Sequence, residues 1–221
     1  MSEALRKAKE EVLFACKTIC SKGYVLGTAG NISAIVEGED LFVITPSSYP
    51  YDIMKEEDLV VSDMEGNIVE GFRKPSIEFS MHRYIYLKRP DVKAIVHSHS
   101  PYATISASLK GVETVKCVDI EAVIYLGGDI DVAPFAPPGS IELAENVRDS
   151  IGLKAGVLLA NHGAIGVGMD MKDALLACDN VERNSMLFVN ILAAGELNPM
   201  SDEYIKNGAE RSLKKRGVVL V

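Results

Sequence analysis

Several features are missing from this 221-residue chain, and each absence removes a class of function. No apolar run approaches the ~18–20 residues that a membrane-spanning helix needs. The opening MSEALRKAKEE is charged and lacks the apolar core of a secretory leader, so a cytoplasmic protein with no membrane partner is expected. Basic residues are in deficit, giving a net charge of −8. Nucleic acid is therefore not an expected partner, because phosphate backbones are held by clustered positive charge. The only dense basic group is Lys214, Lys215 and Arg216, which reads as the solvated end of a helix. Cysteines number only four and none forms a C-x-x-C pair; Cys16, Cys20, Cys117 and Cys178 read as small core residues in a reducing compartment. Walker and Rossmann glycine patterns are absent, as are repeats and linkers rich in Pro, Gly and Ser.

What remains is a chain with 48 % hydrophobic residues, enough for one sizeable α/β domain spanning 1–221. Leu5, Ala8, Val12, Cys16 and Ile19 recur at helical spacing, predicting a helix over 3–22 closed by Gly23. Strand pairs follow at 32–36 with 41–45 and at 59–63 with 67–70. A helix is expected from about Ser76 to just before Pro90. Next come an apolar strand, Val92–His99, a short helix over 102–109, and one or two strands within 121–135 around Gly127 and Gly128. A helix over 140–151 precedes buried strands Val157–Ala160 and Ala164–Val167. A long helix over 170–195, a short helix and a final strand, Val218–Val221, complete the chain. Single strands alternate with helices in places and form hairpins in others. That pattern predicts a three-layer α-β-α sandwich around a mixed, mainly antiparallel sheet.

The four histidines are His82, His97, His99 and His162. His97 and His99 form an H-x-H at the end of an apolar strand, where residues two apart share a face. Alone, such a pair is weak evidence, because isolated histidines are commonly satisfied surface or core residues. His162 strengthens it by following a second apolar strand, VLLA, and preceding Gly163. Three imidazoles with open positions describe a catalytic metal site rather than a closed structural one. Zinc suits such a donor set, and other divalent first-row ions fit too. His82, four residues after Glu78, reads as a packing or supporting residue rather than a ligand.

In KPSIEFSMH, Ser76 is the expected N-cap and Glu78 falls in the first helical turn. Glu78 is either a surface acid complementing the helix dipole or a general base beside the metal. Gly27, Gly30 and Asn31 in GTAGNIS, with Ser47 and Ser48 in TPSS, sketch an anion pocket built from neutral donors.

Together GTAGNIS, ITPSSYPYD, PSIE, VHSHS, APFAPPGS and ANHGAIGVG resemble the class II aldolase/adducin-head family. The resemblance runs from the first helix to about residue 197. It implies zinc held by His97, His99 and His162, and an acid–base role for Glu78. It implies that Gly30, Asn31, Ser47, Ser48 and Ser76 surround a substrate phosphate. It further implies a C4 homotetramer with active sites at subunit boundaries, acting on a small phosphorylated sugar. The implied reaction is metal-dependent retro-aldol cleavage of a ketose 1-phosphate to dihydroxyacetone phosphate and an aldehyde. Two departures stand out. The family's phosphate motif has a second serine where this chain has Ile77. A proton-donor tyrosine of the family falls in CVDIEA, at Glu121 or, two residues earlier, at Asp119, and a second falls at Arg216. The same fold also supports epimerisation, dehydration or decarboxylation of sugar phosphates. The non-enzymatic rival is an adducin-like scaffold without metal, against which the retained histidines and Glu78 argue.

Overall fold

The computed structural model describes residues 2–218. Helix α1 (Glu3–Ser21) leads into strands β1 (Asn31–Ile35), β2 (Leu41–Ile44), β3 (Val60–Asp63) and β4 (Ile68–Glu70). There follow α2 (Phe79–Lys88), β5 (Ala94–Ser98), α3 (Pro101–Ala107), β6 (Thr114–Val115) and β7 (Ile130–Ala133). Last come α4 (Ile141–Ile151), β8 (Gly156–Leu159), β9 (Gly163–Gly168), α5 (Met171–Ala194) and α6 (Asp202–Lys215). The strands form one sheet in the order β4-β3-β2-β1-β5-β9-β8-β7-β6. Neighbours are antiparallel except β7 and β8, which run parallel. This is the expected mixed, mainly antiparallel sheet between helical layers.

Two cores result from the alternation of side chains along the strands. Ile32, Ala34, Val43, Val61 and Val96 face α1 and the start of α5. Phe42, Ile44, Val60 and Ile95 face the other way, onto Met81, Ile85 and Tyr86 of α2. Helix α1 shows why its sequence folds locally. Ser2 Oγ accepts from the Leu5 amide at 3.1 Å, and Leu5, Val12 and Ile19 form the buried stripe. Burying each such side chain contributes ~1.5–3 kcal/mol. At the far end Gly23 takes φ 69°, and Tyr24 N–H donates to the Ile19 carbonyl, closing the helix.

Four expectations need correction. Helix α2 starts at Phe79, so Glu78 rather than Ser76 occupies the N-cap. The reason is the strand-like tie of the preceding segment. Ser76 N–H donates to Thr45 O at 3.1 Å and Pro75 bridges Pro46, holding this stretch extended. The apolar run before Gly127 is not a strand but a π-helical turn, Ala122–Leu126. Its buried Ala122, Val123 and Leu126 follow helical spacing, which a short apolar run does not distinguish from a strand. Cys20 is exposed, whereas Cys16, Cys117 and Cys178 are buried. Arg216 is not solvated like Lys214 and Lys215: its guanidinium donates to Leu153 O and lies 3.6 Å from Asp91. The expected strand Val218–Val221 lies outside the described residues apart from Val218. Among the described residues no helix is long and apolar enough to cross a membrane.

Helix α5 lies almost in contact with the backbone of β9. A Cβ on Gly166 would sit 2.5 Å from Cys178 N and 2.8 Å from Ala174 O. Both neighbours are backbone atoms of α5, so the helix itself would have to move. Gly166→Ala is expected to lower stability by about 1–3 kcal/mol, the usual cost of overpacking. A urea unfolding midpoint equal to that of the unaltered protein would refute this close packing.

Candidate active site

The site forms where β1, β5 and β9 meet at one end. Asn31, first in β1, pairs with His97 in β5, and His97 pairs with Ile165 in β9. His99 follows β5 directly, and His162 lies in the tight turn from β8 into β9. Asn161 in that turn takes φ 54°. Gly163 is required by close approach: a Cβ there would lie 2.3 Å from Ser98 O and 3.0 Å from His99 Cδ2.

The three rings surround one point. Their centroids are 4.9 Å apart in every pair, and the facing nitrogens all lie within 4.8 Å of one another. His97 Nδ1 lies 3.0 Å from the Ala164 carbonyl, to which it donates. That bond directs the other nitrogen, Nε2, to the centre, as in metal-ligating histidines. His97 Nε2 and His99 Nε2 are 3.1 Å apart. Glu78 reaches the same centre from the start of α2, with Oε2 3.1 Å from His97 Nε2 and Oε1 3.4 Å from His162 Nε2. Glu78 Oε1 is buried without a hydrogen-bond partner. Three convergent imidazoles and an unsatisfied buried carboxylate oxygen fit a bound divalent cation.

The electrostatics suit that reading. Burial, helped by the adjacent His97, pushes the His99 pKa down to about 3 and that of His162 to about 4. Both rings are neutral near pH 7, with lone pairs available. Burial also disfavours a charged His97, but the Glu78 carboxylate outweighs it and raises that pKa. For Glu78, burial opposes ionisation; His97, His162 and the Asn31 amide overcome it and hold the carboxyl well below the usual range.

Behind the rings lies a buried polar layer, in which the sequence reading anticipated Glu78, Asn31 and the supporting His82 but not Ser33 or Tyr86. Glu78, His82 and Tyr86 form an i, i+4, i+8 stripe at and along α2. Across from it stand Asn31 and Ser33 on one face of β1. Tyr86 Oη lies 2.6 Å from Ser33 Oγ, which lies 2.6 Å from His82 Nδ1. His82 Nε2 lies 2.5 Å from Asn31 Oδ1, and Asn31 Nδ2 donates to Glu78 Oε2 at 2.8 Å. Burial drives the His82 pKa down to about 3, so its ring is neutral. His82 supports the site rather than joining the cluster. The 78/82/86 spacing was the available signal for Tyr86, and the two-residue spacing from Asn31 was the signal for Ser33.

In front of the rings is a cavity of about 250 Å³. Gly30, Asn31, Ser47, Ser48 and Ser76 line it beside Glu78, His99 and His162, and Glu78 is its only charged carboxylate. Among the described residues no lysine or arginine lines it, so an anion there would meet hydroxyls and backbone amides. Ser48 takes φ 53°, and Ser76 Oγ accepts from the Glu78 amide at 3.2 Å. Asn31 is less free than expected of a phosphate donor, since its carboxamide already bonds His82 and Glu78. Ile77 lines the same cavity and is 62 % exposed. Glu121 and Asp119 do not line it; Asp119 is paired with Arg183 at 2.8 Å.

Comparison with known proteins agrees with this architecture. Residues 10–189 match the model of the Class II Aldolase and Adducin N-terminal domain. The chain is 34 % identical over 211 residues to a 5-deoxy-D-ribulose 1-phosphate aldolase of Bacillus thuringiensis serovar kurstaki, covering 94 % of this chain and 96 % of the relative. An L-fuculose phosphate aldolase of Methanococcus maripaludis is 35 % identical over 172 residues, covering 78 % of this chain and 90 % of the relative. The solved structure of an L-fuculose 1-phosphate aldolase superposes with a TM-score of 0.88 at 33 % identity, covering 96 % of this chain and 97 % of that one. The chain belongs to the class II aldolase and adducin N-terminal domain family.

Proposed function

We propose that this protein is a metal-dependent lyase that cleaves a ketose 1-phosphate to dihydroxyacetone phosphate and a short aldehyde. One observation carries the proposal: three imidazoles and an ionised carboxylate converge, and His99, His162 and Glu78 of that cluster open onto a hydroxyl-lined cavity. The named activities of the relatives favour L-fuculose 1-phosphate or 5-deoxyribulose 1-phosphate as substrate. His97, His99 and His162 would hold the cation, with zinc the first candidate. When bound, it supplies a Lewis acid that stabilises the negative charge developing on the ketose oxygens.

The chain's own groups account for the protons. Cleavage removes a proton from the C4 hydroxyl, breaks the C3–C4 bond and leaves the electron pair on the three-carbon fragment. Glu78, ionised at rest, takes up a proton from solvent and delivers it from Oε1 to C3, while the C4 proton leaves to solvent through its own acceptor, so no proton is gained or lost. In the condensation direction the same oxygen, ionised, removes it. The C4 hydroxyl proton passes to Glu121, contributed across a subunit boundary of a C4 homotetramer. This assignment is consistent with the absence of Glu121 from its own chain's cavity. Ser47, Ser48 and Ser76 hydroxyls and the Gly30 backbone hold the phosphate. The cytoplasm is the proposed compartment, since the chemistry consumes phosphorylated intracellular sugars.

Elemental analysis of the purified protein is expected to find one divalent cation per chain. Thorough chelation should abolish cleavage, and re-addition of zinc or another first-row ion should restore it; cleavage that survives metal removal would falsify the proposal. Glu78→Gln is expected to lower kcat by more than tenfold, about 1.4 kcal/mol or more. A smaller loss would place the base elsewhere. Ile77→Ser restores a hydroxyl to the phosphate cavity. It is expected to lower KM for the ketose phosphate about fivefold, the equivalent of one ordinary hydrogen bond, with kcat little changed. An unchanged KM would move the phosphate away from residue 77.

A further inference from the structure

The buried chain behind Glu78 has a direction. Among the described residues Tyr86 Oη has one hydrogen-bond partner, Ser33 Oγ, so its hydroxyl donates there. The single Ser33 O–H then goes to the other neighbour, His82 Nδ1. A neutral imidazole that accepts at Nδ1 carries its proton on Nε2. That proton is donated to Asn31 Oδ1, which turns the Asn31 Nδ2 donor toward Glu78 Oε2. Tyr86, Ser33, His82, Asn31 and Glu78 are all buried, and each bond of the chain is made within the protein. Were the imidazole in its other tautomer, Nε2 would accept, and the Asn31 oxygen would swing against the carboxylate.

We propose that His82 is a positioning residue: its Nε2–H tautomer, locked by Ser33 and Tyr86, orients Asn31 so that Glu78 is held by Oε2 and presents Oε1 to substrate. The inference rests on the reading of Glu78 as the proton-transferring group. Specifically, His82 makes no hydrogen bond to His97, His99 or His162, so it acts on the base rather than on the metal.

The test uses the metal-loaded full chain and whichever of L-fuculose 1-phosphate and 5-deoxyribulose 1-phosphate it cleaves faster. His82→Leu should lower kcat at least about tenfold, since small misplacements of reacting groups are costly. Its KM should stay within about threefold and its metal content should not change, because the phosphate and cation contacts are untouched. His82→Gln, which keeps a donor and an acceptor, should recover most of the loss. On a Glu78→Gln background, His82→Leu should cost nothing further, as expected of groups acting as one unit. Should His82→Leu fail to fold, Ser33→Ala tests the same lock by a smaller change, with kcat expected to fall about threefold or more. Histidine nitrogen NMR of the unaltered protein provides a readout independent of activity, and should show His82 protonated at Nε2. An Nδ1–H tautomer would overturn the inference. So would full kcat in folded, metal-loaded His82→Leu, or a parallel loss of kcat, KM and metal that Gln does not rescue. If Glu78→Gln is itself fully active, the assignment of the base fails while the tautomer result still decides the role of His82.

Discussion

The antiparallel pairing of β5 with β1 and with β9 is the constraint on which the site depends. That register places Asn31 opposite His97 and Ile165 opposite His97 on the other side. It also supplies the Ala164 carbonyl that fixes the His97 ring. A one-residue slip in either ladder would turn His97 toward the opposite core, that of Ile32, Ala34 and Val43. The cluster therefore inherits its rigidity from main-chain hydrogen bonds rather than from the side chains themselves. Glycine at 163 belongs to the same constraint, because only a residue without Cβ lets the β8–β9 turn approach Ser98 closely enough to bring His162 to the centre.

Given that frame, charge is distributed economically. One carboxylate, Glu78, faces three imidazoles, two of which burial keeps neutral. Unpaired, a buried carboxylate would be costly, and here it is stabilised by the rings and by one amide. Among the described residues, no lysine or arginine lines the hydroxyl-lined cavity. In the proposed reaction, charge complementarity to the substrate phosphate would come from the bound cation and from backbone dipoles. Ile77 adds an apolar side chain to this cavity, where the family resemblance implies a serine.

Helix α2 joins the two halves of the arrangement. Its apolar side, Met81 and Ile85, anchors it in the core below the sheet, while its polar stripe carries Glu78, His82 and Tyr86 to β1. Burial of three polar side chains on one helix face is tolerated because each finds a partner on Asn31 or Ser33. The same packing that stabilises the helix thus sets the direction in which the carboxylate points.

Much of this was legible from the chain alone. Two-residue periodicity put His97 and His99 on one face, the VLLA–Asn–His–Gly run put His162 at a strand end, and alternating hairpins and helices described a mixed sheet between helical layers. Those features are local, set by the 2.0 and 3.6 periods of strand and helix. Sequence reasoning mistook the start of α2, because the extended tie of Pro75 and Ser76 to Thr45 and Pro46 spans separate segments. The π-helical turn before Gly127 escaped it for a similar reason: α6 packs on Val123 at Gly208, far along the chain. Which strands become neighbours, and therefore that Ser33 meets His82 forty-nine residues away, was decided only by the tertiary structure. Hydrogen bonds between distant residues leave no period in a sequence; they exist only once the sheet register and the helix above it are both in place.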